Sequence, residues 1–162
     1  MGSKMKDLGS YIVADPTVCH GQPTFRGTHI SVDDVLRQIA SGKDRGLISR
    51  GSHGKLSSEA IAEAVQLATA ALMEANPRND GANVRELGQY VIMHPLICHG
   101  ALTIRGSRVL VDGVLFYAAK DMSLEENARG WPGSAVTADA VAEALELARQ
   151  ALQKRVPALA TV

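Results

Sequence analysis

Aromatic side chains are scarce in these 162 residues: one Trp, two Phe and three Tyr, so the apolar content rests on Ala, Val, Leu and Ile. That scarcity excludes a thick core in any unit of half this length, because small domains bury a small share of their surface. A charge surplus is also missing, with seventeen basic and seventeen acidic residues. No overall field therefore draws the chain to nucleic acid or an anionic membrane, and such binding has to come from a local patch. There is no run of eighteen apolar residues, and Met1–Leu8 is polar with no hydrophobic stretch behind it. These absences set the expectation of a cytoplasmic protein without a spanning helix, a signal peptide or membrane contact.

Cysteine is limited to Cys19 and Cys98, which in a reducing compartment are expected as free thiols rather than a structural bridge. A cysteine nucleophile needs a nearby base and a lowered pKa. None of Gly-x-Ser-x-Gly, His-Glu-x-x-His, Gly-x-x-x-x-Gly-Lys-Ser/Thr and Gly-x-Gly-x-x-Gly occurs, so the expectation is a binding protein rather than an enzyme, with no cofactor.

What the sequence does contain is one unit written twice. Leu8-Gly9-Ser10-Tyr11 aligns with Leu87-Gly88-Gln89-Tyr90, and the match runs on without a gap: Pro16 on Pro95, Cys19-His20-Gly21 on Cys98-His99-Gly100, Arg26-Gly27 on Arg105-Gly106, Val32-Asp33 on Val111-Asp112. After Ala40 and Ala119 it blurs, then recovers one residue later, with Ala60–Ala64 on Ala140–Ala144. The organisation read from this is a first repeat over 8–73, a linker over 74–86 rich in turn-forming residues, a second repeat over 87–153 and a loose tail over 154–162. A single copy buries too little apolar surface to offset its chain entropy, so the copies are expected to pack together as a pseudo-dimer.

Within a copy, Tyr11-Ile12-Val13 and Thr24–Ile30 are β-prone, the second broken by Gly27, and predict a small hairpin. Ser31 with Asp34 starts a helix whose Val32, Val35, Leu36, Ile39 and Ala40 follow the spacing of a buried face. Ser123-Leu124-Glu125-Glu126 predicts a short second helix in repeat 2, whereas Gly46 and a lost capping box weaken it in repeat 1. The Ala-rich last helices begin after Ser57 and Thr137, run to about Glu74 and Lys154, and are expected at the contact between copies. The fold class is mainly α with short β hairpins (α+β), each copy a β-ribbon plus three helices.

The string Tyr11–Pro16, Cys19–Thr28 and Glu59–Val65 resembles the bacterial domain-of-unknown-function family 433. That resemblance implies helix-turn-helix-like units and an antitoxin-type component of a toxin–antitoxin pair. Repeat 2 keeps Arg108 where repeat 1 has His29, and has Trp131-Pro132-Gly133 where repeat 1 has Ser52-His53-Gly54.

Three sets of candidate residues follow. The Cys-His-Gly pairs are poorly placed for zinc, because neighbours in an extended segment point to opposite faces, and no metal is expected. Arg26-Gly27-Thr28 and Arg105-Gly106-Ser107 either grip an anion or brace a turn against an acid such as Asp33 or Asp112. For DNA, Arg26, Arg105 and Arg108 with Lys43, Arg45, Arg50 and Lys55 are the phosphate-contact candidates, although the last helices carry few basic groups and each copy holds more acidic than basic residues. The rival partner is a protein, such as a toxin, met through an apolar patch at Trp131, Phe116 and Tyr117.

Overall fold

The computed structural model describes residues 5–133 and 135–160, with side chains up to residue 155. Each repeat opens with three short antiparallel strands. In repeat 1 these are β1 (Lys6–Asp7), β2 (Ile12–Ala14) and β3 (Pro23–Phe25), in that order across the sheet. Ile12 pairs with Phe25 and Val13 with Thr24. Gly27, at φ 77°, turns the chain out of β3, and the Phe25 N–H then bonds back to the Ile30 carbonyl at 3.0 Å. The outermost strand was not expected, since two adjacent charged residues show no apolar alternation.

The helices follow their caps. Ser31 accepts the Asp34 N–H and starts α1 (Val32–Ala40), whose Val32, Val35, Leu36 and Ile39 are buried. Asp44 accepts the Leu47 N–H and starts α2 (Arg45–Gly51), so an Asx cap replaces the Ser-x-x-Glu of the other copy. Ser57 caps α3 (Ser58–Ala75), the last helix of the repeat.

Repeat 2 reproduces this order with β4 (Arg85–Glu86), β5 (Val91–Met93), β6 (Leu102–Ile104), α4 (Val111–Ala119), α5 (Leu124–Arg129) and α6 (Ala138–Ala160). Ser123 and Glu126 form the reciprocal capping box at α5. Two boundaries differ from the sequence reading. β4 lies inside the stretch read as linker, and the backbone of α6 stays helical to Ala160, within the stretch read as a loose tail, whose residues 161–162 lie outside the described ones.

Packing crosses between the copies. α3 lies along α6, and α1 packs more extensively on α6 than on its own repeat's α3, just as α3 packs on α4. The buried Ala64, Ala68 and Ala71 of α3 and Ala140, Ala144 and Ala148 of α6 are small enough to let helices approach at the short end of the usual range, about 8–10 Å. One continuous cluster of buried residues draws on both repeats. The chain is thus an intertwined pseudo-dimer in which each last helix completes the other copy's core. Among the described residues no helix is long and apolar enough to cross a membrane.

Candidate functional site

The repeated Arg-Gly segment sits at the hairpin. Arg26 donates from Nη2 to Asp7 Oδ1 at 2.8 Å and from Nε to the Ser10 carbonyl at 3.2 Å. Arg105 repeats this with Glu86 Oε1 at 3.1 Å and the Gln89 carbonyl at 2.8 Å. The same turn is held from its N–H side by a carboxylate of the last helix. Glu63 accepts the Tyr11 N–H at 3.0 Å, and Glu143 accepts those of Gln89, Tyr90 and Val91 at 3.0, 2.7 and 3.0 Å. Thr28 and Ser107 donate to the carbonyls of Phe25 and Ile104 at 2.8 Å. Both arginines therefore brace a turn, and the acids they meet are Asp7 and Glu86 rather than Asp33 and Asp112.

Cys-His-Gly forms a left-handed turn in each copy, with φ of 49°, 57° and 82° at Cys19, His20 and Gly21, and 49°, 56° and 81° at Cys98, His99 and Gly100. The free thiols donate to the carbonyls of His29 and Arg108, both at 3.4 Å. Among the described residues no three His, Cys, Asp or Glu side chains gather as a metal set. In repeat 2 the linker straps over this turn: the Asn79 N–H bonds to the Gly100 carbonyl at 2.8 Å, and its buried side chain donates to the Met93 and Asn83 carbonyls at 2.9 Å.

The remaining cations separate into two groups. Arg45 is half-buried and donates from Nη2 to the Ala118 carbonyl, capping the C-terminus of α4 across the repeat boundary. Burial pushes its pKa down, with Asp121 opposing that shift. Lys43, Arg50, Lys55 and Arg108 are exposed and make no salt bridge among the described residues. At the start of α5, equivalent to the start of α2, stand the exposed acids Glu125 and Glu126. The last helices, which a helix-turn-helix reader would present to a groove, lie at the centre of the molecule.

Repeat 2 presents an aromatic face. Phe116 and Tyr117 on α4 are 56% and 40% exposed. Their rings meet edge to face at 5.3 Å, Tyr117 meets Trp131 at 5.7 Å, and Lys120 Nζ lies 4.7 Å from the Phe116 ring centre. Trp131 is half-buried: its Nε1 donates to Asn127 Oδ1 at 3.1 Å, while Asn127 Nδ2 donates to the Val114 carbonyl at 2.9 Å. Repeat 1 has Arg37 and Gln38 where repeat 2 has Phe116 and Tyr117.

Sequence reasoning missed Glu63, Glu143, Asn79 and the ion pair between Asp33 on α1 and Arg149 on α6, 2.7 Å apart. The first two were visible as a Glu shared by both last helices, paired with a shared Gly at 9 and 88. Asn79 and Arg149 occur in one copy only and leave no repeat signal.

A family model described as a protein of unknown function (DUF433) matches the chain twice, over residues 12–68 and 91–148. No curated protein and no solved structure matches.

Proposed function

The chain belongs to the domain-of-unknown-function family 433, which it carries as a tandem pair, and from that premise we propose that it is a protein-binding module of the antitoxin type that engages its partner through the α4 face of repeat 2. The observation that carries this is the exposed pair Phe116 and Tyr117, backed by Trp131 and flanked by Lys120. Exposed aromatic anchors are the composition of an interface centre, where a few residues supply most of the binding energy, and a charged Lys120 beside them belongs to the polar rim. A DNA contact has less support, because Arg26, Arg105 and Arg45 are engaged within the protein and the equivalent surface of repeat 2 is acidic. The four exposed cations Lys43, Arg50, Lys55 and Arg108 are what remains for it.

The test is co-expression with the product of the adjacent gene, followed by a binding measurement on the purified pair. Phe116→Ser with Tyr117→Ser is expected to weaken the complex at least tenfold, while Arg37→Ala leaves it unchanged. Binding that is indifferent to the aromatic pair overturns the reading. So does a low-salt DNA complex that Arg50→Glu with Lys55→Glu abolishes.

A further inference from the structure

We propose that the protein binds a free α-amino acid with an apolar side chain, in a cavity built where the two repeats meet. The cavity, about 270 Å³, is lined by Ile39, Lys43 and Arg45 of repeat 1 and by Asp121, Met122 and Leu124 of repeat 2. These residues belong to equivalent segments, α1 into α2 and α4 into α5, set so close that a Cβ on Gly42 would lie 3.6 Å from the Leu124 side chain. The helix caps mark the equivalence, since Asp44 and Ser123 each accept the N–H three residues on. Counted from those caps, Gly42 corresponds to Asp121, Lys43 to Met122 and Arg45 to Leu124. In a symmetric dimer of one repeat both turns would carry the same charges, because a two-fold interface presents one patch twice. In this chain they have diverged, into a cationic turn on one side and an acidic, apolar one on the other.

The charges lining this space are not spent within the protein. Arg45 uses Nη2 on the Ala118 carbonyl, while its Nε is buried without a hydrogen-bond partner, a condition that costs free energy until an acceptor meets the group. Lys43 and Asp121 are exposed and make no salt bridge among the described residues, and Asp121 stands near enough to Arg45 to oppose the effect of burial on it. The other acids at the rim are taken by capping: Asp44 Oδ1 accepts the Leu47 N–H at 3.2 Å, and Glu126 Oε1 accepts the Ser123 N–H at 3.4 Å. What is left is two cations beside one carboxylate, next to Ile39, Met122 and Leu124. A ligand that answers both signs carries an anion and a cation close together on an apolar stem. An α-amino acid has that composition, with its carboxylate toward Arg45 and Lys43, its ammonium toward Asp121 and its side chain against the apolar residues. Small-ligand sites favour such clefts between packed units, where apolar walls carry a few placed polar groups.

The experiment titrates the full chain with L-leucine and L-methionine, by calorimetry and by amide chemical-shift mapping. Saturable one-to-one binding is expected, with shifts at Gly42, Lys43 and Asp121–Leu124. N-acetyl-leucine, which lacks the ammonium, and leucinamide, which lacks the carboxylate, are each expected to bind about tenfold more weakly or worse. Lys43→Gln and Asp121→Asn alter exposed side chains, so the fold is kept, and each is expected to weaken leucine binding by a similar factor. Lys55→Gln, outside the cavity, leaves it unchanged. Absence of saturable binding overturns the proposal, as do shifts that bypass the cavity. Equal affinity for N-acetyl-leucine also overturns it by reducing the site to one for anions, and equal affinity for leucinamide does so by reducing it to one for cations.

Discussion

Arg149 on α6 donates to Asp33 on α1 at 2.7 Å, joining the last helix of repeat 2 to the first helix of repeat 1. The two side chains are 12% and 21% exposed. Glu146 holds the same guanidinium from one turn earlier on α6, with Arg149 Nε to Glu146 Oε2 at 3.0 Å. The Arg149 hydrogen bonds keep the Glu146 carboxyl below its ordinary value, and Glu146 and Asp33 together raise the arginine.

A carboxylate whose folded pKa is depressed contributes stability above its unfolded pKa and loses it as the pH falls through the folded value. Unfolding free energy is therefore expected to drop on acidification below the ordinary carboxylate value of 4.5, and to drop less steeply in Glu146→Gln. Urea titrations of both proteins across that range check the sign. Arg149→Met is expected to cost about 1–3 kcal/mol at neutral pH, the scale for leaving a half-buried acid without its donor.

Gly88 is a glycine because the Glu143 carboxylate occupies the space of a side chain there. Gly88→Ala displaces that carboxylate and frees three backbone N–H groups. Both Gly88→Ala and Glu143→Ala are expected to destabilise by about 1–3 kcal/mol. Since each removes the same bonds, the double variant should cost little more than either single one. Additive losses in urea unfolding would show that the two residues act separately.

At Gly100 a Cβ would lie 2.8 Å from the Asn79 backbone nitrogen, with the carbonyl oxygen closer still, and backbone yields less readily than a side-chain end. Gly100→Ala is expected to lift the strap and open the Asn76–Asn83 segment to protease. Gly27→Ala has a similar positive φ but open space around it, and should cost only the left-handed penalty of about 1–2 kcal/mol. Limited proteolysis of the two variants side by side distinguishes them.

Repeat 1 expressed alone lacks α6, on which α1 and α3 both pack. It is expected to form a homodimer in which each α3 covers the other copy's α1, and to unfold on dilution. A folded monomer in sedimentation experiments would contradict the intertwined packing.

By itself the sequence determined the duplication and every helix but α2, whose Asp44 cap it did not single out. Ser31, Ser57 and Ser123 each cap a helix N–H three residues on, and helical spacing marks the buried face of α1. These signals are local, within about one turn of chain, and so survive without the fold. The strands β1 and β4 were illegible because Lys6-Asp7 and Arg85-Glu86 show no apolar alternation, and what holds them, the neighbouring strand's backbone and the guanidinium groups of Arg26 and Arg105, lies elsewhere in the chain. Tertiary structure alone decided whether α1 packs on α3 or α6, since either similar Ala-rich face satisfies the same hydrophobic pattern and only the path of the chain separates them. It also decided which arginines stay available. The sequence shows Arg26, Arg45, Arg105 and Arg108 as equal charges, and only long-range geometry places acceptors beside the first three and leaves the fourth in water.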